Sequence, residues 1–162
     1  KATRWRKIIE KGEKKEMETI VGTIILKDGK ILMVKEAKEK CYGKWAFPAG
    51  HIEPNEAIYE GAKRETLEET GCTVNLKKAF PVFLKNTNDS KIVMMHFLSD
   101  LVNEENSYDK DEILETKWIS IDEIKNMDEQ EFRSSAVVKQ IINDIEKQNL
   151  FDLNIVKDMP QI

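Results

Sequence analysis

The feature that most constrains this chain is a segment, residues 50–72, in which glutamates share a helix face with apolar side chains. It reads GHIEPNEAIYEGAKRETLEETGC. At about 100° per residue, a helix turns three glutamates toward the side that also carries Ile58 and Ala62. They stand at positions i, i+3 and i+4: Glu65, Glu68 and Glu69.

A solvated helix surface is the ordinary interpretation of so many acids, and it is the alternative to be tested. Such a face should lie opposite the apolar residues. Here the opposite arc is instead occupied by Glu60, Lys63 and Thr70, with Leu67 among them. Three like charges on the apolar side repel one another and cost stability unless hard divalent cations neutralise them. The pattern therefore favours a metal site.

Upstream of this segment, the pattern predicts a β-hairpin. Two runs rich in β-branched and apolar residues, 19–26 and 31–34, flank an Asp28-Gly29 pair that suits a tight turn. The segment itself is predicted to form a helix that Asn55 caps, that begins at Glu56 and that Gly71 ends.

Downstream, strands and a second helix are predicted. One or two strands lie within residues 72–84, and others cover 92–101 and 114–119. The second helix is capped by Ser134 or Ser135 and runs to about residue 147. Strands interspersed with two substantial helices predict a mixed sheet covered by helices.

The length of 162 residues fits one domain, and we expect a basic arm at 1–17, a main domain at 18–148 and an extension at 149–162. With 40% hydrophobic and 35% charged residues, the composition is that of a globular protein. No apolar run is long enough to span a membrane, so we expect a cytoplasmic protein without a membrane partner. The net charge of −4 argues against a nucleic-acid polymer as a partner. The two cysteines are too few for a disulfide framework, and we expect reduced thiols.

The segment resembles the Nudix box, Gx5Ex7REUxEExGU, in which U is an apolar residue. One position departs from the pattern, because Thr66 stands at the first U. The matching residues are Gly50, Glu56, Arg64, Glu65, Glu68, Glu69, Gly71 and Cys72.

The resemblance implies an α+β fold, a Nudix-type α/β/α sandwich with a mixed twisted sheet. It also implies metal-dependent hydrolysis of a diphosphate linkage by attack of water on phosphorus. The substrate would be a nucleoside di- or triphosphate or another small organic diphosphate. Mg²⁺ would be the cofactor, with Mn²⁺ as a substitute. A homodimer is left open.

The resemblance also assigns roles within the box. The backbone carbonyl of Gly50 and the three clustered glutamates would hold the metal, while Arg64 orients the carboxylates and Glu56 supports it. Glu68 or Glu69 is the preferred base. A carboxylate from outside the box is the alternative, and Glu112 is our choice because it precedes the strand residue Trp118 by six positions. It would also join the metal ligands. The acidic residues around Glu112 could equally be a solvated loop.

Three residues before the helix are candidates for substrate binding: Trp45, Phe47 and His51. Their segment resembles the WxxPAGHxE variant of a subgroup of small bacterial Nudix phosphatases, which act on a pyrimidine diphosphate and on nucleotides. The competing interpretation is that the aromatic residues belong to the core and that His51 is structural. For His96, within a predicted strand, we favour a packed residue over a ligand contact.

Two function classes are consistent with this resemblance. One is a hydrolase, and the alternative is a non-hydrolytic nucleotide sensor with a Nudix-like fold. Such a sensor should have lost acids of the box. Every box acid is present here, which favours the hydrolase.

Overall fold

The computed structural model describes residues 16–88 and 90–159. In this part of the chain, eight strands form one sheet and three α-helices flank it. The strands are β1 (Glu16–Lys27), β2 (Lys30–Glu36), β3 (Trp45–Ala46), β4 (Ala49–His51), β5 (Cys72–Ala79), β6 (Phe83–Asn86), β7 (Ser90–Glu104) and β8 (Ile113–Ser120). The helices are α1 (Ile58–Thr70), α2 (Ile121–Asn126) and α3 (Ser135–Glu146).

The sheet is mixed, as predicted. β1 pairs in parallel with β7 along most of its length, and this register places Gly22 opposite His96. The other pairings are antiparallel: β1 with β2 and β4, β2 with β3 and β8, and β7 with β5 and β6. Strand β4, which carries Gly50, therefore lies directly beside β1.

Alternating side chains of β1 face two different layers, which is the period of an extended strand. Val21 packs with Ala62 of α1, whereas Ile24 packs with Ile141 of α3. Both faces of the strand are thus buried, and the continuous apolar run of β1 follows from that position. The result is the α/β/α sandwich that the resemblance implied.

The predicted hairpin is present. Lys27 pairs with Lys30, and the two residues between them have positive φ, 51° at Asp28 and 71° at Gly29. Two central residues of positive φ define the turn whose twist matches that of the flanking strands, which explains the Asp-Gly pair.

The predicted start of α1 is wrong by two residues. The helix begins at Ile58 after the cap residue Ala57, and Asn55 instead adopts a left-handed conformation with φ of 65°. The physical reason is a turn before the helix: the Glu56 carboxylate accepts the N–H of Glu53 at 3.0 Å, and the Glu56 N–H donates to the Glu53 carbonyl at 3.1 Å. The predicted end is right, because Gly71 is the left-handed cap.

Downstream, the region 72–84 contains two strands, and β7 extends beyond its predicted limit to Glu104. The predicted second helix is α3, which follows Ser134. The chain after it returns to the sheet: the backbone of Phe151 exchanges hydrogen bonds of 2.8 and 2.9 Å with Ala79, and Tyr59 of α1 donates to the Leu153 carbonyl. The extension predicted at 149–162 therefore packs on the main domain as far as it is described. The predicted basic arm falls almost wholly on residues 1–15, outside the described residues.

In the described part of the chain, none of the helices has the length and apolar character needed to cross a membrane.

Candidate active site

Of the three acids expected on the apolar side of α1, two are buried and one is exposed. Glu65 and Glu69 face the sheet with 8% and 1% of their surface exposed, whereas Glu68 is exposed. One carboxylate oxygen of Glu69, Oε2, accepts the backbone N–H of Ala49 at 3.0 Å. The other oxygen, Oε1, is buried without a hydrogen-bond partner in the described protein. A buried carboxylate oxygen without a partner is costly, so this atom needs an explanation.

Arg64 holds the acids in place through a forked set of hydrogen bonds. Its Nε and Nη2 donate to the two oxygens of Glu56 at 2.6 and 2.9 Å. Its Nη1 donates to Glu65 at 2.7 Å and to Glu68 at 3.1 Å. The same guanidinium reaches the His51 carbonyl at 3.1 Å, which ties the helix to β4. The predicted orienting role of Arg64 and the supporting role of Glu56 agree with these contacts.

The protonation of the acids follows from these surroundings. Burial raises the pKa of Glu69 to about 8; the Ala49 N–H opposes this shift and the nearby Glu36 carboxylate adds to it. Burial also raises the pKa of Glu65, although its hydrogen bond to Arg64 works in the opposite direction. The hydrogen bond from Arg64 lowers the pKa of Glu56. Without a cation, burial thus favours the protonated form of Glu69 at neutral pH.

Gly50 meets the buried acids at close range. A Cβ atom added to Gly50 would overlap the carboxylate of Glu65. Only a residue without a side chain leaves room for that carboxylate beside the backbone of β4.

The donor set fits a hard divalent cation, since such ions prefer carboxylate and carbonyl oxygens. The unpartnered oxygen of Glu69 and the close approach of the Glu65 carboxylate to the Gly50 backbone are the two observations that support a cation here. However, within residues 16–88 and 90–159 no three His, Cys, Asp or Glu side chains already stand as a group that could hold a metal. Arg64 accounts for this, because it draws oxygens of Glu65 and Glu68 onto its guanidinium. The exposed side chain of Glu68 would have to leave its 3.1 Å contact with Arg64 to turn toward a cation.

Glu112 lies at the rim of the site. Its carboxylate is half-exposed and stands 3.4 Å from Lys38 Nζ, and its charge contributes to the raised pKa of Glu65. The loop that carries it is fixed to α1, because the Asp109 N–H donates to the Glu68 carbonyl at 3.0 Å. The structure therefore brings Glu112 near the box acids without placing it among them.

A cavity of about 460 Å³ lies on the opposite side of β4, between the sheet and α3. This volume is typical of small-molecule pockets. Apolar walls come from Ile20, Phe47, Ile92, Met94 and Val137. Polar positions come from Lys38, Gly50, His51, Lys85, His96 and Arg133.

The three predicted substrate residues are placed differently. Phe47 and His51 line the cavity, and the His51 Nε2 lies 2.8 Å from the Glu18 carboxylate. Trp45 does not line it, although it is buried in the same core cluster as Phe47 and Phe132. A substrate contact of Trp45 stays a prediction. Its side chain belongs to the core because β3 pairs with β2 above that core.

Sequence reasoning missed three cations that line the cavity: Lys38, Lys85 and Arg133. Arg133 Nη1 donates to the buried Glu36 at 2.7 Å, which fixes the guanidinium. Lys38 lies in a loop, Lys85 in β6 and Arg133 in the loop before α3, and no spacing in the sequence links them. Their proximity is a product of the tertiary structure.

The model of one protein family, the NUDIX domain, matches residues 17–140. The chain belongs to the NUDIX domain family. This confirms the family predicted from the box, whereas the proposed subgroup of small bacterial phosphatases stays a prediction. A NUDIX hydrolase from Nitrosomonas europaea superposes with a TM-score of 0.80 at 28% identity, over 89% of this chain and 98% of that one. The predicted α/β/α fold is thereby confirmed.

Two curated relatives show how NUDIX proteins similar to this chain differ in function. An 8-oxo-dGDP phosphatase of Danio rerio is 49% identical over 53 residues, which cover 32% of this chain and 16% of that protein. An ADP-ribose pyrophosphatase of Methanocaldococcus jannaschii is 31% identical over 108 residues, covering 62% of this chain and 64% of that protein. The chain thus spans about one sixth of the first relative and less than two thirds of the second.

Proposed function

We propose that this NUDIX protein hydrolyses a diphosphate linkage in a nucleoside di- or triphosphate, or in a similar small organic diphosphate. The observation that carries the proposal is the position of Gly50. Its backbone lies beside the buried carboxylate of Glu65, and it also lines the cavity. An organic group in the cavity would therefore place its phosphates at β4, within reach of Glu65 and Glu69.

The cations that line the cavity are suited to the phosphate chain. Lys38, Lys85 and Arg133 carry positive charge, and a guanidinium binds phosphate oxygens in a bidentate manner. Their contacts would orient the diphosphate and leave the apolar walls to hold the organic group. Such contacts would bind the substrate and the transition state equally, so they would set the position of the substrate. The rate would depend on the acids.

Glu65, Glu69 and the Gly50 carbonyl would hold Mg²⁺ or Mn²⁺, with Glu68 turning inward as a further ligand. When bound, the cation neutralises the diphosphate and lowers the pKa of a coordinated water. Arg64 would hold the carboxylates of Glu56 and Glu65 in position for that role through its hydrogen bonds to them.

Glu68 is our candidate for the base that takes the proton from the attacking water, because its carboxylate is exposed to solvent, whereas Glu65 and Glu69 are buried. Glu69, the other candidate, has a raised pKa near 8 that would suit proton transfer but is held by the Ala49 N–H.

The proposal is tested by assaying phosphate or pyrophosphate release from a panel of diphosphates. We expect activity with Mg²⁺ or Mn²⁺ that a chelator abolishes. Because a cation must displace the proton from Glu69, metal affinity and activity should increase as the pH approaches 8. Full turnover in the presence of the chelator would contradict the proposal.

The matched variants are Glu68→Gln, at the site, and Glu60→Gln, about two helical turns away from it on α1. We expect Glu68→Gln to lower kcat by at least ~10²-fold without changing the fold, since it removes a ligand and the candidate base. Glu60 pairs with Lys63 at the surface, so Glu60→Gln should keep its activity. If nucleotides bind tightly and none is cleaved, the protein is the non-hydrolytic sensor.

A further inference from the structure

His96 is a buried polar residue that the proposed chemistry does not use. It lies on β7 with 4% of its surface exposed, on the strand face that also turns Ile92 and Met94 into the cavity. Its ring stands between two aromatic rings, with centroid distances of 6.5 Å to Phe47 and 6.1 Å to Phe83. The imidazole thus forms part of an aromatic and apolar end of the cavity.

The imidazole lacks the hydrogen bonds that a structural histidine normally makes. Its Nδ1 is sealed from solvent and has no partner among the described residues. A buried polar atom without a partner costs free energy, and native proteins usually satisfy such atoms. A packed histidine whose only function is to fill space would be replaced at lower cost by an apolar residue. A molecule in the cavity cannot reach this sealed atom, so Nε2 is the ring nitrogen that a ligand could contact.

The ring is neutral, because burial lowers the pKa of His96 to about 4. A neutral imidazole has one N–H and one lone pair. An unpaired lone pair at the sealed Nδ1 costs less than an unpaired N–H, so the proton belongs on Nε2. His96 can then offer one hydrogen-bond donor to a molecule in the cavity.

From this arrangement we propose that His96 determines specificity by donating a hydrogen bond from Nε2 to an acceptor on the organic group of the substrate. This inference rests on the proposed function only in assuming that the ligand carries a diphosphate. The cavity favours a planar heteroaromatic group, since Phe47 supplies an aromatic edge and Met94 a polarisable side chain. A base with a ring carbonyl, such as uracil or guanine, meets both requirements.

The binding experiment separates this inference from catalysis. Affinity is measured by calorimetry with non-hydrolysable methylene analogues of uridine diphosphate, and with an alkyl methylenediphosphonate that carries no base. Wild type is compared with His96→Leu, which removes the donor, and with His96→Gln, which keeps one near the position of Nε2. All measurements include Mg²⁺.

We expect His96→Leu to weaken binding of the uridine analogue at least ~10-fold and to leave the alkyl analogue within ~2-fold. His96→Gln should recover most of the lost affinity. Equal affinities for wild type and His96→Leu would overturn the inference, as would an equal loss for both analogues, which would make His96 a structural residue. Hydrolysis plays no part in these readings, so an inactive wild-type protein would refute the proposed function alone.

If His96→Leu does not fold, a second measurement on the wild-type protein still tests the inference. In wild-type protein labelled with ¹⁵N-histidine, the NMR signal of the His96 Nε2 should shift when the uridine analogue binds and stay in place when the alkyl analogue binds. No difference between the two analogues would overturn the inference.

Discussion

The buried imidazole of His96 gives the protein a specific dependence of stability on pH. Burial lowers its pKa from the ordinary value of 6.5 to about 4. Between these values the unfolded chain binds a proton that the folded protein does not, so the free energy of unfolding falls as the pH falls from 6.5 to 4. The loss from this residue amounts to about 3 kcal/mol at the lower end.

Urea denaturation of wild type and His96→Gln at pH 7 and pH 4 measures this effect. Other groups titrate in the same range, so the quantity compared is the difference between the two proteins. We expect the variant to gain about 3 kcal/mol relative to wild type as the pH falls. His96→Leu should show the same change because neither replacement titrates. A difference that does not vary with pH would show that His96 is accessible to protons in the folded state.

Glu112 is the acid outside the box that we expect to contribute to catalysis. Its charge acts on Glu65, and its carboxylate pairs with Lys38 of the cavity wall. Asp109 instead accepts the N–H of Asp111 at 2.9 Å, and Glu115 lies 3.7 Å from Lys35. We therefore expect Glu112→Gln to lower kcat at least ~10-fold and the other two substitutions to have smaller effects. Similar small effects in Glu112→Gln, Asp109→Asn and Glu115→Gln would assign the whole loop to solvent.

Among the elements, α1 depends on how it ends. Gly71 has φ of 69°, and a Cβ atom there would lie 2.6 Å from the Ser107 carbonyl oxygen. Gly71→Ala therefore incurs the left-handed penalty of about 1 kcal/mol and a backbone clash besides. We expect a total loss of about 2 kcal/mol or more in the free energy of unfolding, measured by urea denaturation.

Gly29 provides the matched control for that substitution. Its φ of 71° is nearly the same, but a Cβ atom there would meet nothing within 4 Å. Gly29→Ala should thus lose only the conformational part, about 1 kcal/mol. Equal losses at both positions would mean that the loop at Ser107 yields to the added methyl group.

At the scale of the whole molecule, one cavity beside the box sets the expected size of substrate. Its volume of about 460 Å³ suits one organic group with its phosphates. We expect kcat/KM for pyrimidine diphosphates and nucleoside di- or triphosphates to equal or exceed that for ADP-ribose and dinucleoside polyphosphates. A preference of more than ~100-fold for either of the larger substrates, about 2.7 kcal/mol in the transition state, would reveal a second site for a nucleoside or ribose.

Much of the candidate site was predictable because its determinants are local. The spacing of Glu65, Glu68 and Glu69 sets their shared face through the period of the helix, whatever else the chain does. The Asp28-Gly29 turn and the Gly71 cap are likewise chosen by backbone conformation at single positions. The pattern could also predict that Glu65 and Glu69 would face inward, since Ile58 and Ala62 lie on the same side of the helix, but not that Glu68 is exposed.

The tertiary structure alone decided which buried polar atoms have hydrogen-bond partners and where a substrate would lie. The parallel pairing of β1 with β7 brings Gly22 opposite His96, and the packing of α3 closes the cavity around that point. Trp45 and Phe47 are both buried in one core cluster, but only Phe47 of the two also lines the cavity. Periodicity is a property of neighbouring residues, whereas the burial of Trp45, the unpartnered Nδ1 of His96 and the convergence of three cations depend on contacts between elements distant in sequence.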